Sequence, residues 1–206
     1  MAAPNASNEN ATYFQPLYKI PDALVDTANE VNKFASAFVK PDWGHKDFGW
    51  VPFRKAVDSY PGNNLISGNF REASVAFEEK LDYMIESLPS LVANFPHGVS
   101  GQDVKDAARA AFTDLQTAKT NGWADFHSQT SSSTSTWWEY RVLLAGPSQD
   151  LKDAVSAVVT TIHLIADIED ESDWYSITGD TVHNYYISPV TILLIAKKGF
   201  VSPDTD

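Results

Sequence analysis

Near position 122 the spacing of apolar residues changes period, from about 3.6 residues before it to 2 after it, and few chains can satisfy both halves. Before the change, helices must each bury one stripe. After it, strands must bury one face or two. Residues 22–39 open with Asp22 after Pro21 and place Leu24, Ala28, Val31, Ala35 and Phe38 at three-to-four spacing, which predicts an amphipathic helix ended by Lys40-Pro41. A short helix through Phe53, Ala56 and Val57 follows, then a short strand over 64–67. Asn69 with Glu72 resembles a capping box, and Phe70, Ala73, Phe77, Leu81, Met84, Leu88 and Phe95 continue it as one helical stripe. Ser100 with Asp103 starts a second helix through Val104, Ala107, Ala111, Leu115 and Ala118, and Asn121-Gly122 stops it. The two form an antiparallel helical hairpin whose apolar face needs a partner.

That partner is the C-terminal part, where residues 137–144, 155–169 and 181–197 read as long strands rich in β-branched and aromatic side chains. In the middle strand Val158, Ile162, Leu164, Ala166 and Ile168 keep one phase, while Thr161, His163, Asp167 and Glu169 keep the other. From Val190 through Ile195 both phases are apolar, the mark of a strand covered on both faces. The expected fold is therefore α/β, a three-layer α/β/α sandwich with a largely antiparallel central sheet of long strands between helical layers. Residues 1–12 read as a disordered tail, 13–201 as one domain, helix-rich to 121 and strand-rich from 122, and 202–206 as a second tail.

A formal charge of -12 disfavours nucleic acid or strongly anionic lipid as the main partner. Without cysteine there are no disulfides and no thiolate metal sites. No apolar run approaches the roughly 20 residues of a transmembrane helix, so the expected resting form is soluble. His45, His97, His127, His163 and His183 are available bases, but none lies in a catalytic motif, and Gly-rich phosphate loops and Gly-x-Ser-x-Gly elbows are absent. The expectation is no enzyme, no cofactor and no metal. Asp167, Glu169, Asp170, Glu171 and Asp173 form an acidic run without EF-hand order, and a solvated turn accounts for it.

The segment Phe112-Thr113-Asp114-Leu115-Gln116-Thr117-Ala118-Lys119, then Trp123, a Ser/Thr-rich stretch and Trp138-Glu139-Tyr140-Arg141-Val142-Leu143-Leu144, resembles the helix-to-strand junction of the Cyt cytolytic toxins. Ala28-Asn29-Glu30 and Phe34-Ala35 resemble that family's first helix, and the strands after Leu151 its pore-associated sheet. The resemblance implies a secreted or released cytolysin that binds zwitterionic membranes as a soluble monomer, oligomerises and permeabilises them.

A tilted strand crosses a bilayer in about 9–11 residues, which the segments 154–169 and 183–198 exceed. Membrane-inserting rows are then Val158, Ile162, Leu164, Ala166 and Ile168 on one strand and Val190, Ile192 and Leu194 on the next, with Thr161, His163, Asp167 and Glu169 lining a pore. In water such rows must be hidden, so helices act as covers whose removal costs about 25 cal/mol per Å² exposed. Open strand edges are not tolerated in lipid, so insertion entails self-association. An amphipathic helix bearing Leu24, Ala28, Val31 and Phe38 offers another route, lying at the interface or mediating assembly. Trp137 and Trp138, or Lys197 and Lys198, can meet headgroups or sulfated glycans, though sheet packing and a solubilising strand end are the commoner roles of such residues. A non-lytic lipid- or carbohydrate-binding module is the alternative function.

Overall fold

The computed structural model describes residues 12–42, 45–92, 94–128, 136–168 and 181–203. Glu169, Asp170, Glu171 and Asp173 of the acidic run, residues 130–135 of the Ser/Thr-rich stretch and most of both tails lie outside these residues. In chain order the elements are β1 (Gln15–Tyr18), α1 (Val25–Ser36, entered through a 3-10 turn at Asp22–Leu24), β2 (Val39–Asp42), β3 (His45–Phe48) and α2 (Trp50–Asp58). Then come β4 (Leu65–Glu72), β5 (Val75–Lys80), α3 (Leu81–Val92), α4 (Gly101–Thr113) and α5 (Leu115–Thr120). The chain finishes with β6 (Ala124–Ser128), β7 (Thr136–Pro147), β8 (Ala154–Ala166) and β9 (Val182–Lys197).

Strands β7, β8 and β9 form an antiparallel meander with unbroken register, from Thr136↔Ala166 to Pro147↔Val155 and from Ala154↔Lys197 to Ala166↔Tyr185. Each outer edge of the meander is shared by two short strands. On β7 these are β6, antiparallel, and β1, parallel; on β9 they are β5 and β4, both antiparallel. β2 and β3 make a separate hairpin.

Helices flank both faces. One core joins α3, α4 and α5 to Trp138, Tyr140, Val142, Leu144, Val158, Ile162, Leu164 and Ile187. The other joins α1 and α2 to Leu143, Ala145, Val155, Ala157, Val159, Ile192, Leu194 and Ala196. This is the expected three-layer, largely antiparallel α/β sandwich.

The expected helix from Asn69 is corrected: residues 69–72 and 75–80 are strand, and α3 begins only at Leu81. Phe70 pairs with Ile192 and Phe77 with Tyr185 in the ladder. The exposed edge of a 16-residue strand offers main-chain partners that outweigh a weak local helix preference. α1 likewise ends at Ser36, because Val39–Asp42 pairs with β3, and this leaves Phe38 beyond the helix. The long helix expected after Ser100 breaks at Asp114, whose side chain accepts from Thr117 N and caps α5. The Ser100–Asp103 capping box forms, and Gly122 takes the left-handed φ of 75° that its stop requires.

Candidate functional site

Pairing across an antiparallel ladder places partners on the same face, so the register divides the meander into two chemically different surfaces. Under α3–α5 the rows are Trp138, Tyr140, Val142 and Leu144 on β7, Val158, Ile162, Leu164 and Ala166 on β8, and Tyr185, Ile187, Pro189 and Leu193 on β9. These are apolar or aromatic, and the buried threonines Thr136, Thr160 and Thr191 share the same face. Two hydroxyls on this side, Thr160 Oγ1 and Tyr185 Oη, are buried without a hydrogen bond. Burial pushes the Tyr185 phenol up to about 12.

The other face is apolar where α1 and α2 cover it and again at its exposed end, at Trp137, Ile165 and Tyr186. Between these stretches it carries Glu139 and Arg141 on β7 and Thr161 and His163 on β8, with Arg141 paired to Thr161 and Glu139 to His163. Thr161 is buried and accepts from Trp50 Nε1 at 2.9 Å. Arg141 is fully buried and saturated: it donates to Glu139 Oε1 at 2.5 Å, Asp125 Oδ2 at 2.6 Å and the carbonyls of Tyr13, Lys46 and Gly122. His163 Nε2 stands 2.8 Å from Glu139 Oε2, and its ring stacks on Trp137. Asp47, from β3, completes the group; a ligand atom each from Asp47, Glu139 and His163 lie within 4.8 Å of one another.

Electrostatics in this cluster are strongly coupled. Burial alone would raise the Glu139 pKa, but His163 and the Arg141 guanidinium hold its carboxyl well below the usual range. Burial and the neighbouring Glu139 push Asp47 up. Burial opposes charge on His163, yet the Glu139 and Asp47 carboxylates outweigh it and raise the imidazole pKa.

The expected inserting rows fall on opposite faces. Val158, Ile162, Leu164, Ala166 and Ile168 belong to the α3–α5 side, whereas Ile192 and Leu194 pack toward α1, and Val190, paired with Thr161, shares that face. The partners of the first row on β9 are Tyr185, Ile187, Pro189 and Leu193. Among the expected pore-lining residues, Thr161 and His163 do share one face. Asp167, just past β8, accepts from Asn184 N and Nδ2 and pairs with His183.

Leu24, Ala28 and Val31 are core residues beneath the sheet, and Phe38 packs edge-on against Phe34 and Phe53. None of the first three is open to a partner in this state. Trp138 is 1% exposed and lies over Phe112, so here it is packing rather than a headgroup anchor. Trp137 is partly exposed, in cross-strand line with Ile165 and Tyr186, which are 41% and 44% exposed. Lys197 and Lys198 sit at the other end of the meander, beside Ala154 and Asp153.

Glu139, Arg141, Asp125, Asp47 and Trp50 are the residues that sequence reasoning missed. One signal was present: two charges alternating within the apolar run 137–144, where an unpaired charge would be prohibitive. Asp47 and Trp50, distant in sequence, gave none.

No protein-family model and no curated protein sequence matches the chain. Solved structures do. A protein described as a delta-endotoxin superposes with a TM-score of 0.75 at 14% identity, covering 100% of this chain and 89% of that one. The activated Cyt2Ba monomer from Bacillus thuringiensis subsp. israelensis superposes with a TM-score of 0.70 at 15% identity, covering 90% of this chain and 98% of that one. The chain therefore has the fold of the Cyt-type delta-endotoxins.

Proposed function

We propose that the chain is a pore-forming cytolysin that meets a bilayer as a soluble monomer, sheds the α3–α5 layer from the meander, oligomerises and permeabilises the membrane through β7–β9. One observation carries this reading: the meander face beneath α3–α5 is uncharged and mostly apolar, broken only by Thr136, Thr160 and Thr191, whereas the opposite face carries Glu139, Arg141 and His163. A membrane barrel needs that asymmetry, with one row to lipid and one to water. The lipid-facing row on β9 is then Tyr185, Ile187, Pro189 and Leu193, in place of Val190, Ile192 and Leu194.

The dimensions support it. At about 3.3 Å per residue β8 is roughly 40 Å long, enough to cross a 30 Å hydrocarbon core at a tilt. Lys197 and Lys198 at one end would sit at a headgroup level, while Trp137 and Tyr186 at the other share the water-facing side with Glu139 and His163. The acidic balance favours zwitterionic lipid over anionic lipid. Release from the producing cell and action at a target membrane accord with the sequence resemblance to the Cyt cytolytic toxins and, we infer, to the fungal cytolysin volvatoxin.

Dye-loaded phosphatidylcholine vesicles test the reading. Micromolar protein should empty them, with membrane-bound oligomers visible by electron microscopy. Vesicles that bind the protein and stay sealed would favour a non-lytic lipid-binding module, and a dose-independent lack of binding would end the membrane reading altogether.

A further inference from the structure

The cluster around Glu139 has an excess of acceptors that its one permanent cation does not absorb. Arg141 engages Glu139 through Oε1 and Asp125 through Oδ2. The second Glu139 oxygen, Oε2, is fully buried and receives no hydrogen bond. His163 Nε2 stands 2.8 Å from it as an ion-pair contact. A carboxylate oxygen of Asp47 converges on the same space. Donor atoms of three side chains thus lie within 4.8 Å of one another, with a single guanidinium among Asp47, Asp125 and Glu139. A divalent ion would bring that set to neutrality.

We propose that Asp47, Glu139 and His163 form a three-ligand site for a first-row divalent metal ion of the Zn²⁺ class, through one oxygen of each carboxylate and Nε2 of the imidazole. A tetrahedral ion about 2 Å from each donor holds its ligands roughly 3.3 Å apart. Atoms already within 4.8 Å reach that by small side-chain adjustments. One nitrogen and two oxygens with an open fourth position suit Zn²⁺, whereas Ca²⁺ demands six to eight oxygens. The outer shell is in place: Arg141 fixes the Glu139 carboxylate through its other oxygen, and Trp137 stacks on the imidazole. The ligands come from β3, β7 and β8, so the ion would tie the β2–β3 hairpin to the central sheet. This site does not depend on the cytolysin reading.

Titration calorimetry of the metal-free full chain with ZnCl₂ is the test, with Co²⁺ absorption as a second readout. The expected result is saturable one-to-one binding, a higher Tm in Zn²⁺ and the visible bands of tetrahedral Co²⁺. Asp47→Asn and His163→Gln, both at partly exposed positions that should tolerate the change, should each weaken binding by at least about tenfold. His183→Gln should bind as wild type does. Absence of Zn²⁺ binding by folded wild-type protein would overturn the proposal. So would binding that survives in the Asp47→Asn, His163→Gln double variant or is lost in His183→Gln, which would move the ion to the Asp167–His183 pair.

Discussion

Ser100 and Asp103 show how a single pair of side chains positions a whole layer. Ser100 Oγ accepts from Asp103 N at 3.2 Å, and Asp103 Oδ2 accepts from Ser100 N at 2.8 Å. Asp103 also meets Lys19 at 3.1 Å, tying the start of α4 to the segment after β1. The Ser100 side chain and backbone amide, then Lys19, hold the Asp103 carboxyl down at about 2. A depressed carboxylate contributes stability above its ordinary range and loses it as pH falls from about 4 toward 2. Ser100→Ala should therefore cost about 1 kcal/mol in urea unfolding at neutral pH. Its stability should also fall less steeply than that of wild type across the same acid window, because the variant's Asp103 titrates closer to its unfolded value. Equal slopes would mean that the cap does not set the Asp103 pKa. This pair was legible in the sequence because it is local. The Arg141 network was not: its partners lie as far away as Tyr13 and Lys46, and only the fold brings their carbonyls to one guanidinium.

At the scale of elements, what matters is how firmly α3–α5 are held to the sheet. Their core buries Leu81, Met84, Ile85, Leu88, Val104, Ala108 and Phe112 against β7–β9, several kcal/mol of apolar contact. Two features weaken the hold. Thr160 and Tyr185 bury hydroxyls without partners on that side, each at about 1–3 kcal/mol. Two ion pairs that brace the layer, Lys105–Glu86 and Arg109–Asp82, join α4 to α3 and leave with the cover, so that of these contacts Lys19–Asp103 is the one that must part. The chain has no native cysteine, so one engineered pair can test the separation cleanly. With one cysteine on α3 and one on β9, at Cα positions within about 7 Å, the oxidised protein should release no dye and the reduced protein should recover full leakage. Leakage that is indifferent to oxidation would show that this layer stays in place during lysis. The elements themselves were readable wherever period and length agreed, as in β7–β9 and α4. The 69–80 segment misled because its apolar residues fit a helix locally, and only the open edge of β9 made them strands.

For the whole molecule, the two faces of the meander make a claim about charge. If the α3–α5 face turns to lipid, the face bearing Thr161 and His163 turns to water, and Asp167 at the end of β8 stands near one mouth of the conduit. The acidity of the chain then has a functional direction: acidic groups at a mouth concentrate cations and raise their permeation over anions. Sequence phase alone indicated which β8 residues share a row. It could not pair them with the correct row on β9, because a one-residue change of register exchanges the faces completely and register is a property of the assembled sheet. Asp167→Asn is the informative change. An amide oxygen can still accept from Asn184 N, whereas Asp167→Lys would also break the bracket between β8 and β9. In single-channel recordings under a salt gradient, Asp167→Asn should shift the reversal potential toward zero and Asp167→Lys should shift it further, past zero if this position dominates the mouth. Leakage activity of Asp167→Asn should stay near wild type. Reversal potentials that coincide for all three proteins would take Asp167 out of the ion path and leave His163 and Thr161 as the face to probe next.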